Sequence, residues 1–301
     1  MGLFSTASKE TRVGVDFLPG GIAVAQVRSG GNNPGDVLHA EFIAASGQQA
    51  QAEALGKWVC ANRLQKTPCV CLVAQDDCDV YLVERPEVEE SELIQAVTWK
   101  IKDLINYDLA SAVVDSYPMP VSSKNKQRQL AVVAARETVI GGYVDCIRET
   151  SLRLEVLDIH ELVRSNLQVI RQSAGRSLAL LSFTADAGLL SVYHDTDLYL
   201  SREFSIGLGK LEQAGGDDDS VFDALLLEIQ RSLDYFESFY GIGAVTDLRV
   251  FPHQKPIEKM AMYLQNLTSY DIDFVNIDVA DATVDPACFH AYCAALRGLQ
   301  P

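Results

Sequence analysis

Arg12-Val13-Gly14-Val15-Asp16-Phe17-Leu18-Pro19-Gly20-Gly21-Ile22-Ala23-Val24-Ala25-Gln26-Val27 holds two short β-rich runs on either side of a turn signal, Leu18-Pro19-Gly20. A third run, residues 37–43, follows a Gly/Asn/Pro loop at 30–35, so the stretch reads as a three-stranded meander. Ala54, Leu55, Trp58, Val59, Ala61 and Leu64 then recur at helical spacing, and residues 68–74 form an apolar run short enough to be a buried strand. The unit is β-β-β-α-β. The same order returns downstream, with strands at 177–183, 189–194 and 198–204, a helical stripe at Phe222, Leu226, Ile229, Leu233, Phe236 and Tyr240, and a closing strand at 247–251. Two such units predict an α/β chain with a duplicated ribonuclease-H-like, actin-like two-domain architecture.

Residues 84–150 lie between the copies and are needed by neither, so they read as an inserted α/β subdomain. Glu89-Glu90-Ser91-Glu92 puts carboxylates at the positive end of a helix whose apolar face is Leu93, Val97, Ile101, Leu104 and Ile105. Residues 113–117 and 129–135 read as a hairpin around a solvated loop at 122–128, and 139–152 as a second helix. The expected division is 1–83 with 151–176 as the first half, 84–150 as the insert and 177–301 as the second half.

The 301 residues carry 25 Lys+Arg against 41 Asp+Glu, a formal net charge of −16. Such a field repels phosphate polyanions, which argues against general nucleic-acid binding. No apolar run reaches the ~20 residues of a membrane span, and residues 1–9 lack the apolar core of a leader, so a cytoplasmic protein without direct membrane insertion is expected. Met1 to Thr6 fits a loose myristoylation pattern that short termini match by chance. The seven cysteines are odd in number and scattered, which implies no disulfide framework. Cys69, Cys71 and Cys78 match no common zinc spacing, and the five histidines stand far apart with no His-x-x-x-His, so no metal site is expected.

Several segments resemble a known family. Val13-Gly14-Val15-Asp16, the stretch from Arg85-Pro86 through Ala96-Val97-Thr98-Trp99-Lys100 to Tyr107-Asp108-Leu109, the run Glu228 to Glu237, and Cys293-Ala294-Ala295-Leu296-Arg297-Gly298 are similar to PilM, the actin-like component of type IV pilus machines, and to its MshI variant in mannose-sensitive haemagglutinin (MSHA) pili. The resemblance implies an FtsA-like inserted subdomain, a cleft that binds ATP in PilM, and a groove beside the insert that takes the cytoplasmic N-terminal peptide of a PilN-like inner-membrane protein. It further implies an apolar trough around Leu93, Trp99 and Tyr107, which become the candidate partner-binding residues. The acidic rim of Glu89, Glu90 and Glu92 suits a basic peptide. Self-association is left open.

Actin-like phosphate chemistry needs two Gly-containing hairpins, each with an Asp for the metal, and a Gly-Gly turn under the adenosine. Asp16 is present at the first, but Phe17-Leu18-Pro19 follows, and Pro19 removes a donor. Ser182 and Thr184 stand at the second, with Asp186 and Gly188 out of register, and Phe251-Pro252-His253-Gln254 stands at the third. Asp16 is therefore read as a vestigial nucleotide-site residue, and no catalytic residue or resident cofactor is assigned. Gly207-Leu208-Gly209 is too short for a dinucleotide fingerprint and reads as loop backbone. Gly215 to Ser220 reads as a solvated loop and helix cap. The expected function is a cytoplasmic scaffold of an MSHA-type or type IV pilus platform, held at the inner membrane through its partner. The alternatives are a working ATPase using Mg-ATP with Asp16 and Asp186 as metal ligands, and a secretion-system scaffold of the GspL type.

Overall fold

The computed structural model describes residues 11–28, 36–122, 128–167, 176–195, 197–214, 219–275 and 284–298. The terminal pattern at 1–6, the loop at 30–35, most of the loop at 122–128 and residues 215–218 of the acidic loop lie outside them. The chain forms two compact units. Of the described residues, the first takes those up to 117, 130–167 and 284–298, and the second takes 118–122, 128–129 and those between 176 and 275.

The first unit is built on a five-stranded sheet in the order β3-β2-β1-β4-β8, comprising β1 (Thr11–Leu18), β2 (Gly21–Arg28), β3 (Asp36–Ala44), β4 (Pro68–Val73) and β8 (Arg153–Ile159). β1, β2 and β3 pair antiparallel, while β4 lies parallel to β1 and β8 parallel to β4. The strands alternate, as period-2 geometry requires. Val13 and Val15 of β1 join Ile22, Val24, Cys69 and Cys71 on one face, where they pack against Leu55, Trp58 and Val59 of helix α1 (Gln48–Ala61) and Tyr143 and Ile147 of α3 (Glu137–Glu149). Gly14 and Asp16 fall on the other.

That other face is covered by the C-terminal helix, Phe289–Ala295, whose Ala291, Cys293, Ala294 and Ala295 are all fully buried. A Cβ on Gly14 would stand 1.8 Å from the Ala291 carbonyl oxygen. Only a residue without a side chain allows this approach, and small helix residues complete it. The expectation that residues up to 301 complete the second half is corrected here, because this helix packs on β1, β2 and β4.

A smaller three-stranded sheet, in the order β5-β7-β6, belongs to the insert: β5 (Cys78–Glu84), β6 (Ala112–Pro118) and β7 (Gln129–Arg136). Its core joins Leu130, Val132 and Ala134 to Leu93, Val97 and Ile101 from around helix α2 (Leu93–Lys100). Two boundaries move. The insert begins at β5 rather than 84, and α3 serves the first sheet's core instead of the insert. The helix at 93 is also shorter than its apolar pattern, preceded by a 3-10 turn at Glu90–Glu92, and Leu104 is exposed.

The second unit repeats the same sheet plan. Its order is β11-β10-β9-β12-β13, with β9 (Ser177–Phe183), β10 (Gly188–His194) and β11 (Asp197–Phe204) antiparallel, and β12 (Asp247–Phe251) and β13 (Asp271–Phe274) parallel. The long helix at Ser220–Tyr240 buries Phe222, Leu225, Ile229, Leu233 and Phe236 against it. It ends where Gly241 adopts φ +71° and its N–H donates to the Glu237 carbonyl, a left-handed cap that favours glycine. Among the described residues, no helix is long and apolar enough to cross a membrane.

The Gly14 contact yields a direct test. Gly14→Ala should destabilise the chain by about 1–3 kcal/mol through overpacking, read as a lower urea midpoint. Gly56→Ala in α1, where an added Cβ meets nothing within 4 Å, should leave stability unchanged or raise it by up to ~1 kcal/mol.

Candidate functional site

Asp16 lies near the end of β1, fully buried. The strand continues for two more residues, and the hairpin then turns through Pro19 and Gly20 alone, with Leu18 opposite Gly21 and Gly20 at φ +86°. This tight turn offers no glycine-rich array of N–H groups. Phe17 instead packs toward the α1/α3 side, its ring edge-on to Tyr143 at 5.6 Å.

A buried carboxylate needs compensation, and here it comes from imidazole. His160, at the junction of β8 and the short helix His160–Val163, donates from Nε2 to both Asp16 oxygens, at 3.2 and 3.0 Å. His290 of the C-terminal helix brings Nδ1 to 3.8 Å from Asp16 Oδ2. The two rings meet edge to face, 4.5 Å between centroids. Arg164 is buried behind them, its Nε donating to the His160 carbonyl at 2.9 Å and its guanidinium 4.0 Å from Glu161. Desolvation first, then the neighbouring His160 and the Arg164 guanidinium, push the His290 pKa well below the usual imidazole value, although part of its side chain stays exposed. His160 Nδ1 is buried without a hydrogen-bond partner.

The three side chains form a potential metal-coordinating triad, with one ligand atom from each within 4.8 Å of the others. Histidines that stand far apart in the sequence are brought together here, His160 and His290 around Asp16. Residues 16, 160 and 290 come from three elements that only the sheet order brings together, and no sequence spacing signals them.

Asp158, beside this cluster, is also buried, which raises its pKa, although Arg297 binds its carboxylate and the Ile159 N–H donates to it.

The other two turns make local contacts of their own. At the hairpin after β9, Leu208 N–H donates to the Thr184 carbonyl at 2.9 Å and Gly209 N–H to the Ala185 carbonyl at 3.0 Å. Gly207 sits so close that a Cβ would come 2.4 Å from the Asp186 carbonyl carbon. The glycines of Gly207-Leu208-Gly209 thus close that turn and open the helix Leu208–Gln213. After β12, His253 stacks on Phe274 at 4.1 Å and meets Glu258 at 3.0 Å. Mg²⁺ seeks oxygen ligands in octahedral array, and an Asp16 held by imidazole does not fit that requirement.

The first unit also carries an open pocket of about 530 Å³, lined by Phe17, Leu18, Pro19, Asp76, Asp77 and Tyr143 among others. Tyr143 organises this wall, its hydroxyl donating to Asp77 Oδ2 at 2.5 Å and accepting from the Ala74 N–H at 3.1 Å.

The residues read as partner-binding have three different environments. Leu93 is buried in the core of the insert. Trp99 is 60% exposed, with Lys102 Nζ 5.3 Å from its ring centre. Tyr107 lies under the Arg136 guanidinium at 4.5 Å, its hydroxyl buried without a hydrogen-bond partner. Sequence reading missed a separate exposed apolar set on the same small sheet, Val80, Leu82 and Val113. The alternation of Val80 and Leu82 with Tyr81 and Val83 was its signal.

No family model matches this chain, and no curated protein matches it. Among solved structures, a PilM-PilN type IV pilus biogenesis complex superposes with TM-score 0.63 at 17% identity, over 96% of this chain and 99% of that one. The cytoplasmic domain of EpsL, an inner-membrane component of the Vibrio cholerae type II secretion system, gives 0.49 at 13% identity over 95% and 93%. A Bacteroides thetaiotaomicron protein of actin-like ATPase fold and unknown function gives 0.49 at 9% over 97% and 99%. The chain has the actin-like ATPase fold, with two similar α/β sheet domains.

Two tests follow from this geometry. His160→Ala strands the Asp16 carboxylate in the core and should cost about 3–5 kcal/mol of unfolding free energy, measured by denaturant titration. Thiol alkylation should be selective at pH 8. Cys60 is exposed, whereas burial, followed by nearby carboxylates, pushes Cys78 up to about 11 and Cys288 to about 12. Alkylation requires thiolate, so mass spectrometry of the native chain should show one fast adduct, at Cys60.

Proposed function

We propose that this protein is a non-catalytic scaffold of an MSHA-type or type IV pilus assembly platform, docking on the cytoplasmic N-terminal segment of a PilN-like inner-membrane protein. It works at the cytoplasmic face, held at the membrane by that partner. The observation that carries the reading is the exposed apolar surface of the inserted subdomain. Val80 and Leu82 stand 43% and 62% exposed on β5, an end strand of its sheet among the described residues, with Val113 at 41% on the same sheet. An end strand offers unpaired backbone groups to an extended peptide, and alternate side chains supply the apolar grip. Exposed apolar residues grouped in this way mark interaction surfaces.

Charge favours a basic partner. Asp76, Asp77 and Asp79 precede or open β5, and the chain as a whole carries −16, so an extended segment with alternating apolar residues and a few lysines or arginines is the matching chemistry. The fold shared with the PilM-PilN complex supports the choice of partner. The residues at the three nucleotide positions support the non-catalytic role.

The two tryptophans make the test simple, because Trp58 is buried and Trp99 exposed. In a Trp58→Phe background, Trp99 emission reports events on the insert. A synthetic peptide of the partner's cytoplasmic segment should bind saturably, and Leu82→Glu should weaken it at least tenfold without changing the melting temperature. Trp99→Ala, followed by calorimetry, should also weaken binding if the tryptophan anchors the peptide. Unchanged affinity in both variants would sink the reading.

A further inference from the structure

The Asp16, His160 and His290 cluster has a chemistry that the scaffold reading leaves unused. We propose that it is a binding site for a first-row divalent transition-metal ion of the zinc class, with Asp16 Oδ2, His160 Nε2 and His290 Nδ1 as ligands and solvent completing the coordination. Two imidazoles and one carboxylate form a borderline-soft N₂O donor set, which suits Zn²⁺, Co²⁺ or Fe²⁺ and not the oxygen-seeking Mg²⁺ or Ca²⁺.

The spacing fits such an ion. Bonds of 2.0–2.1 Å place neighbouring ligands of a tetrahedral centre about 3.3 Å apart. Asp16 Oδ2 stands 3.0 Å from His160 Nε2 and 3.8 Å from His290 Nδ1, on either side of that value. The site is built rather than incidental, with Asp16 fully buried and His160 8% exposed. His290 is the open side, its side chain 30% exposed, which gives the ion an entry path and a position for water.

Arg164 brings a buried positive charge close to the cluster, and Glu161, 4.0 Å from it, offsets that charge. Ligation through Nε2 requires the His160 proton on Nδ1, an atom that is buried without a protein partner.

Such an ion would join β1, the end of β8 and the C-terminal helix, fastening residues 144 positions apart in the His160–Asp16 pair and the chain's last described helix. Its role is therefore structural, a clasp on the first unit, and it does not depend on the pilus reading.

The test uses the metal-stripped full-length chain titrated with Co²⁺, followed by visible absorption, and with Zn²⁺ in a calorimeter. One Co²⁺ per chain is expected, with d–d bands of a four- or five-coordinate centre and no sulfur-to-cobalt charge-transfer band. Zn²⁺ should raise the melting temperature. His290→Ala leaves the Asp16–His160 pair in place, so it should fold, as circular dichroism would verify, while binding falls at least tenfold and the thermal shift disappears. Asp16→Asn, which keeps the side-chain shape, should lose binding as well. A chain that takes up no Co²⁺, takes it up through thiolate, or binds equally well after His290→Ala overturns the proposal.

Discussion

A carboxylate with no solvent exposure constrains the first unit. Asp16 cannot stay ionised on β1 without hydrogen-bond donors, and His160 and His290 stand around it on the face opposite the α1/α3 core. One neighbour comes from the strand end after β8 and the other from the far end of the chain. The compensation of one side chain therefore ties together segments that the sequence holds far apart.

That requirement gives meaning to details that would otherwise look unrelated. For His290 to reach Asp16, the C-terminal helix must lie almost in contact with β1, which is possible because Gly14 has no side chain and the helix presents alanines and Cys293. That cysteine behaves as a small apolar group, and burial pushes its thiol far above its ordinary pKa. The same helix puts Arg297 on the buried Asp158. Turn chemistry matters in the same way. Pro19-Gly20 makes the first hairpin tight, Gly207 closes the second, and His253 stacks over Phe274 after β12.

The sheets were legible in the sequence because their signals are local. Val13 and Val15 alternate with Gly14 and Asp16, the Leu178 to Leu181 run reads as a buried strand, and the Phe222 to Tyr240 stripe holds its period over a full helix. The return of the last helix to the first unit was not legible, since a run of alanines fits against either sheet. The placement of α3 failed for a similar reason. Its apolar face is plain, with Tyr143 and Ile147 buried, but periodicity says that a helix is amphipathic and not which core receives it. Of the site, Asp16 was found through its strand-end position. His160 and His290 were not, because ligands drawn from distant elements leave no spacing to read. In the insert, Leu93 and Trp99 share one helix and differ completely in exposure, a distinction that requires the sheet beneath the helix.

The most direct measurement is a calorimetric titration of Mg-ATP into the purified chain, with an actin-like ATPase as positive control. If Asp16 is committed to the imidazole pair, no saturable heat is expected at protein concentrations adequate for micromolar affinity. Saturable Mg-ATP binding that Asp16→Ala abolishes would contradict that commitment and make the chain a nucleotide-binding member of its fold.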